Sequence, residues 1–350
     1  MSFEQFLGRC REKRGGPAIL APLSGLTDVV FRRIAQRFGA DLVVSEMVAA
    51  SGLVKGEEEA RLRSEGEGVS PHVVQLAGRD PRWMAEAARL SEGAGADVID
   101  INFGCPAKKV TGGLAGSALM REPGLALSIV AAVVGAVKVP VTLKMRLGWD
   151  AANHNAPEIA RGAADLGAAA LTVHGRTRQQ FYTGMADWHA VAATVAASPV
   201  PVIVNGDIVD EASARSALAA SGAAGVMIGR AALGEPWLVG RISRALAGLP
   251  PAEPAPAART DAAIEHYEGM LSLYGLRMGV RHARKHVAAY ADRAAEERFG
   301  LDPAERAELV TSEDPARVVS LLAQRRAGPR PAPSRMAAGA ICTPRRVGTR

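Results

Sequence analysis

Short apolar runs rich in β-branched residues recur along the first two thirds of the chain. Each is followed by a stretch with the spacing of an amphipathic helix. The runs cover residues 18–23, 41–46, 72–77, 97–102, 140–145, 169–174, 200–205 and 225–229. Continuous apolar runs of this length are what strands buried on both faces require, whereas a half-exposed strand would alternate. Helices fit between them. Residues 27–38 open on Thr27 and Asp28 and 81–93 on Pro81, chemistry suited to a first helical turn, while 156–166 and 210–221 each stop before a glycine. Eight such units in roughly 230 residues predict an α/β fold, a closed (β/α)8 TIM barrel over 18–245. A doubly wound sheet is the alternative, but no GxGxxG follows the first run.

After Trp237 the pattern stops. Residues 246–260 hold four prolines and read as a linker. Residues 261–324 read as a small C-terminal helical domain, with 261–299 forming two or three helices. There Arg277, Arg281, Arg284 and Lys285 share one helix face, His282 and His286 lie alongside, and no acidic residue falls between Gly269 and Ala291. The plain reading is a solvated face; the sharper one is contact with a phosphate backbone, which clustered Arg and Lys serve. Residues 1–17 form an N-terminal segment outside the repeat.

The formal net charge of +6 overstates how basic the body is. Residues 325–350 carry seven Arg and no Asp, Glu or Lys, so the remainder sits near −1. This Arg/Pro-rich tail is predicted to be disordered and unnecessary for catalysis, with an auxiliary polyanion-binding arm as the alternative. At 48% hydrophobic and 22% charged residues, the chain has ample material for a core. Its longest apolar run, 125–137, is interrupted by Gly135 and falls short of the ~20 residues of a membrane span. The N-terminus is too charged for a signal peptide. Three cysteines, Cys10, Cys105 and Cys342, make neither a disulfide framework nor a zinc site. The expectation is a reduced, cytoplasmic protein with no metal, no membrane contact and no obligate protein partner.

Barrel chemistry belongs at the C-terminal strand ends, and the unusual residues lie there. The first run ends in Pro22, Leu23 and Ser24, the second in Ser45 and Glu46, the third contains Gln75, and the fourth ends in Asn102 just before Phe103-Gly104-Cys105-Pro106. Lys144 and Arg146 lie two apart on the fifth, hence on one side. The sixth leads into His174-Gly175-Arg176-Thr177-Arg178, the seventh into Asn205-Gly206-Asp207, and the eighth into Gly229-Arg230. Singly, each has a dull explanation as a helix cap or a core residue. A buried Lys is the rarest, because burial disfavours its charge unless an anion is near. Gly206 and Gly229 let backbone N–H groups approach a phosphate and Arg230 adds charge, in the loops where such barrels hold phosphates. Lys144 would face an anion on a cofactor ring. Cys105, in a Gly/Pro-flanked loop, would be a nucleophile or acid. Together these suggest a flavin mononucleotide enzyme, while the same Lys144 would also suit a Schiff-base aldolase.

The motifs resemble those of the bacterial tRNA-dihydrouridine synthases, most of all the branch called type B. They are APLSGLTDVVFR (21–32), SEMV (45–48), VQLAGRDP (74–81), DINFGCPAKKVTGGLAGSALM (100–120), LKMRLGW (143–149), TVHGRTRQQFYTGMADW (172–188), VNGDI (204–208), MIGRAALGEPW (227–237) and MGVRHARKH (278–286). The resemblance implies an FMN-binding barrel followed by a small helical domain, and NADPH (or NADH) driving reduction of uridine C5–C6 bonds in the D-loop of tRNA. It implies FMN contacts from Pro22, Leu23, Ser24, Gln75, Lys144, Asn205, Gly206, Asp207, Gly229 and Arg230, with His174 near the flavin as well as the base. Asn102, Arg146, His174 and Arg178 would meet the target uracil, and Cys105 would be the general acid. Arg281, Arg284 and Lys285 would grip the tRNA backbone. Ala289 departs from the family, whose members often place an aromatic there. A dehydrogenase of free pyrimidines is the neighbouring alternative; it would not need the basic helix.

Overall fold

The computed structural model describes residues 1–12, 15–112, 114–250, 252–296 and 301–324; the predicted tail and Cys342 lie outside them. All eight apolar runs are strands: β1 (Ala18–Leu20), β2 (Leu42–Ala49), β3 (Val73–Ala77), β4 (Val98–Phe103), β5 (Val141–Arg146), β6 (Ala170–His174), β7 (Val202–Asn205) and β8 (Gly225–Ile228). Each pairs in parallel with the next, and β8 returns to β1 to close the barrel. The least well anticipated strand is β2, which runs on to Ala49 through a register shift between Val44 and Met47. That extra residue turns Ser45 and Glu46 out of the regular ladder.

Alternation along the strands sorts two cores. Ile99, Ile101, Leu143, Met145, Leu171 and Val173 pack outward against the helices. Ile19, Leu42, Val44, Val73, Val98, Ile203 and Met227 fill the lower interior. The segment 1–17, read as lying outside the repeat, contributes to that interior. Helix Phe3–Arg11 sets Phe3, Phe6 and Cys10 against the barrel floor, and Arg9 pairs with Asp41. Periodicity could not place this helix because the barrel repeat starts after it. Burial there pushes the Cys10 thiol up to about 12, so Cys10 is an inert core residue.

The helix signals hold at the residue level. Asp28 caps Val29–Arg37, Asp80 with Pro81 opens Pro81–Gly93, and Asp210 caps Glu211–Ser221, which Gly222 ends at φ 65°. The Pro-rich stretch is shorter than expected. Helix starts at Pro256, inside the segment read as linker, because proline suits a first helical turn. Gly275, at φ 73°, then breaks 256–296 into two helices, followed by Pro303–Thr311 and Pro315–Gln324.

A buried polar cluster clasps these helices to the barrel. Asp28 Oδ1 accepts from the Val30 and Phe31 N–H groups, while Oδ2 lies 3.0 Å from His266 Nε2 and 3.9 Å from His286 Nε2. His266 Nδ1 is 3.2 Å from the Tyr290 hydroxyl. One carboxylate oxygen of Asp28 and one ring nitrogen each of His266 and His286 lie within 4.8 Å of one another, an approach of residues 28, 266 and 286 that no local motif displays. Nearby, Gly234 (φ 75°) meets the helix backbone so closely that a Cβ would lie 2.4 Å from the Ala289 carbonyl oxygen. At Ala289 the contact is thus backbone on backbone.

Candidate active site

The strand register aligns the predicted residues in tiers. Asn102 pairs with Lys144 across β4 and β5, Arg146 with His174 across β5 and β6, and His174 with Asn205 across β6 and β7. Lys144, 9% exposed, donates to Asn205 Oδ1 at 3.0 Å, and Asn205 Nδ2 donates to the Met227 carbonyl. Burial, with Arg146 nearby, lowers the Lys144 pKa to about 8, against the pull of Asp100 and Cys105. Lys144 is therefore still mainly a cation at neutral pH.

Cys105 sits half-buried just above β4. Asn102 Oδ1 accepts from the Gly104 and Cys105 N–H groups at 3.1 and 2.9 Å, and Asn102 Nδ2 donates to Gln75 Oε1 at 2.7 Å. The loop's outer side is held by Ser117, whose hydroxyl donates to the Cys105 carbonyl.

The loop carrying Pro22, Leu23 and Ser24 is anchored from two sides. Leu23 N–H donates to Thr27 Oγ1, and the Gly25 N–H, at φ 72°, donates to buried Glu46 Oε2 at 2.8 Å. Burial raises the Glu46 pKa, opposed by the Gly25 bond and Arg63. Gly229 lies against Leu23, so the loops after β1 and β8 adjoin. Among the described residues the N–H groups of Gly206, Asp207, Gly229 and Arg230 make no hydrogen bond to protein. With the exposed Arg230 side chain nearby, they leave unspent donors in the loops after β7 and β8, where barrels of this kind hold phosphates.

Four residues stand differently from their sequence reading. Asp207, expected to hold cofactor, turns its carboxylate to protein: Oδ2 accepts from Arg176 at 2.5 Å and from Ala186 N–H, while Oδ1 lies 3.5 Å from Arg230. A carboxylate repels phosphate, so its side chain orients Arg230 instead. Arg146, expected at the uracil, spends Nε on the Gly104 carbonyl and Nη1 on those of Thr177 and Phe181. It ties the loops after β4 and β6 together. Arg178, expected at the uracil too, lays its guanidinium over Trp149 at 5.0 Å. Arg284 turns towards Glu313 at 3.6 Å, whereas Arg277, Arg281 and Lys285 stay exposed. The Lys285 ammonium reaches over Gly25, placing that cation beside the mouth.

The tautomer of His174 is set by its neighbour. Arg176 can only donate, so the 3.2 Å contact from its Nη1 makes His174 Nε2 an acceptor. Burial, with Lys144, Arg146, Arg176 and Arg230 close by, drives the His174 pKa well down. The imidazole is neutral, with its proton on Nδ1. Arg176 stands out in the sequence only as part of a motif; in the structure it makes buried bonds to Thr183, Gly184 and Asp207.

A closed parallel barrel whose C-terminal mouth gathers a buried lysine, a thiol and unspent backbone donors has the form of a barrel enzyme's active site. Family comparison agrees and narrows the class: the dihydrouridine synthase model matches residues 19–317. A probable tRNA-dihydrouridine synthase from Rhodobacter capsulatus is 52% identical over 309 residues, covering 87% of this chain and 93% of that protein. One from Rhizobium leguminosarum is 51% identical over 304 residues (87% and 93%). A tRNA-dihydrouridine synthase B from Xanthomonas axonopodis is 49% identical over 277 residues (78% and 83%). The chain belongs to the dihydrouridine synthase family.

Proposed function

We propose that this chain reduces uridines of the tRNA D-loop to dihydrouridine, with FMN held in the barrel mouth and NADPH or NADH as reductant. The observation that carries the reading is the meeting of Cys105 with Lys144 under one mouth, beside the cradle of Gly206, Asp207, Gly229 and Arg230. When bound, FMN supplies the hydride for uracil C6. The chain supplies everything else. The N–H groups of Gly206, Asp207, Gly229 and Arg230 with the Arg230 side chain would hold the phosphate, and Pro22, Leu23, Ser24 and Gln75 would border the ring. Lys144 would stabilise negative charge on that ring, since a buried cation is worth most where water is excluded. Cys105 holds the proton that goes to uracil C5. Asn102 has one amide hydrogen left after its bond to Gln75, and neutral His174 has Nδ1–H; both suit uracil carbonyls.

A uridine stacked in folded tRNA must turn out to reach this depth. Arg277, Arg281 and Lys285 are placed to take the backbone as it does so. Among the described residues no helix is long and apolar enough to cross a membrane. The Schiff-base reading of Lys144 falls away with the family assignment.

The test is Cys105→Ala. Flavin content and tRNA affinity should be retained, while single-turnover tRNA reduction falls about 100-fold or more, the usual worth of a positioned acid. Wild-type turnover by this variant would remove Cys105 from the mechanism. Turnover of free uridine as fast as tRNA would defeat the substrate assignment.

A further inference from the structure

Asp100 is buried in the barrel, one tier below Asn102, and touches none of the groups assigned to substrate. Its partners are instead a short series of side chains. Gln75 Nε2 donates to Asp100 Oδ2 at 2.7 Å, and Thr142 Oγ1 donates to Oδ1 at 2.6 Å. Gln75 Oε1 accepts from Asn102 Nδ2 at 2.7 Å, and Asn102 Oδ1 accepts from Gly104 and Cys105 N–H. Three links thus join a buried carboxylate to the backbone of the thiol.

The direction of this series is forced. Backbone N–H groups only donate, so the Asn102 atom facing them must be oxygen. Its nitrogen then faces Gln75, which must present oxygen, and the Gln75 nitrogen must find an acceptor. A carboxylate is the side chain that fills that place without offering a competing donor. Lys144 is near enough to draw on Asp100 electrostatically, but its ammonium bonds Asn205 instead, so the direct partners of the buried carboxylate are Gln75 and Thr142. We propose that Asp100 is a positioning residue: it sets the orientation of the Gln75 and Asn102 amides and thereby the placement of the Cys105 loop. Without an acceptor at 100, Gln75 turns over, Asn102 follows, and its nitrogen confronts the Cys105 N–H it should receive. The inference rests on the reading of Cys105 as the proton donor only for its effect on turnover, not for its effect on the loop.

Two measurements on the FMN-bound, full-length enzyme test it. One is the iodoacetamide alkylation rate of Cys105, read on its own peptide by mass spectrometry without tRNA. The other is single-turnover tRNA reduction. Asp100→Leu should change alkylation at least about fivefold and slow turnover about tenfold or more, since small misplacements of a reacting group cost this much. Asp100→Asn keeps an oxygen for Gln75 and turns its nitrogen to Thr142, so both rates should stay within about threefold. Gln75→Glu cannot donate to Asp100 and should disturb alkylation as Asp100→Leu does. Adding Asp100→Asn to it restores a matched donor and acceptor, and the alkylation rate should return. Wild-type rates in Asp100→Leu, or no rescue in the double variant, overturn the proposal. If Asp100→Leu fails to fold, the Gln75→Glu pair decides alone. Should Cys105→Ala keep full turnover while alkylation follows this pattern, the catalytic reading fails and the relay stands.

Discussion

At the scale of single residues, the site is governed by what each polar atom already touches. Asp207 and Arg146 carry the right residue types at the right strand ends, yet the structure commits most of their bonding to the protein itself. Arg176 is the clearest consequence. It is 2% exposed and joins two loop carbonyls to Asp207. Arg176→Met unpairs two loop carbonyls and leaves the Asp207 carboxylate with only the Ala186 N–H and the more distant Arg230, a loss of charge-assisted hydrogen bonds that costs about 1.5–3 kcal/mol. A urea midpoint lowered accordingly, with flavin more easily lost through a loosened Arg230, is the expected result. An unchanged midpoint would show the loop held by other means. Residue types and their order were legible in the sequence here; hydrogen-bond partners were not, because side chains from strands far apart in the chain meet only at the mouth.

At the scale of elements, the strands were legible because a two-sided core demands continuous apolar runs, and the helices because their caps follow local chemistry. What escaped were elements whose role is set by a neighbour. The helix Phe3–Arg11 has an ordinary capping box at Ser2 and Gln5, but only the open barrel floor gives its apolar face a place to go. Phe6 is 2% exposed there. Phe6→Ala should cost about 3 kcal/mol, as large-to-small core changes do, while flavin content and tRNA turnover at low temperature remain intact. Thermal unfolding and a turnover assay on one preparation check both halves. Loss of flavin without loss of stability would place the helix in the cofactor site rather than under it.

At the scale of the molecule, the clasp of Asp28, His266 and His286 couples the helical domain to the barrel, and it responds to pH. Burial beside His266 holds the His286 pKa down at about 3. For Asp28, burial works to raise the pKa, but His266, His286 and the Phe31 N–H outweigh it and the carboxyl stays below its ordinary range. A histidine kept neutral in the folded state contributes fully above its unfolded pKa and loses ground as pH falls below it. Between pH 6.5 and 5, His286 alone withdraws about 2 kcal/mol. The midpoint of thermal unfolding should fall over that range, and His286→Phe should flatten the fall. An equally steep decline in that variant would assign it to other groups, the neutral His174 first among them.

The sequence by itself determined the eightfold alternation, the helix caps, the barrel's polar rim and the order in which Cys105, Lys144, His174 and Asn205 appear. These follow from local rules, in which burial on two faces or an orphaned N–H selects a residue type within a few positions. Only the tertiary structure decided which of those polar groups face the mouth and which bind one another. It also brought residues 28, 266 and 286 together and made Asp100 the far end of the Cys105 loop's support. Closing the barrel converts separations of tens of residues into hydrogen-bond distances, and donors and acceptors are matched only once that closure is made.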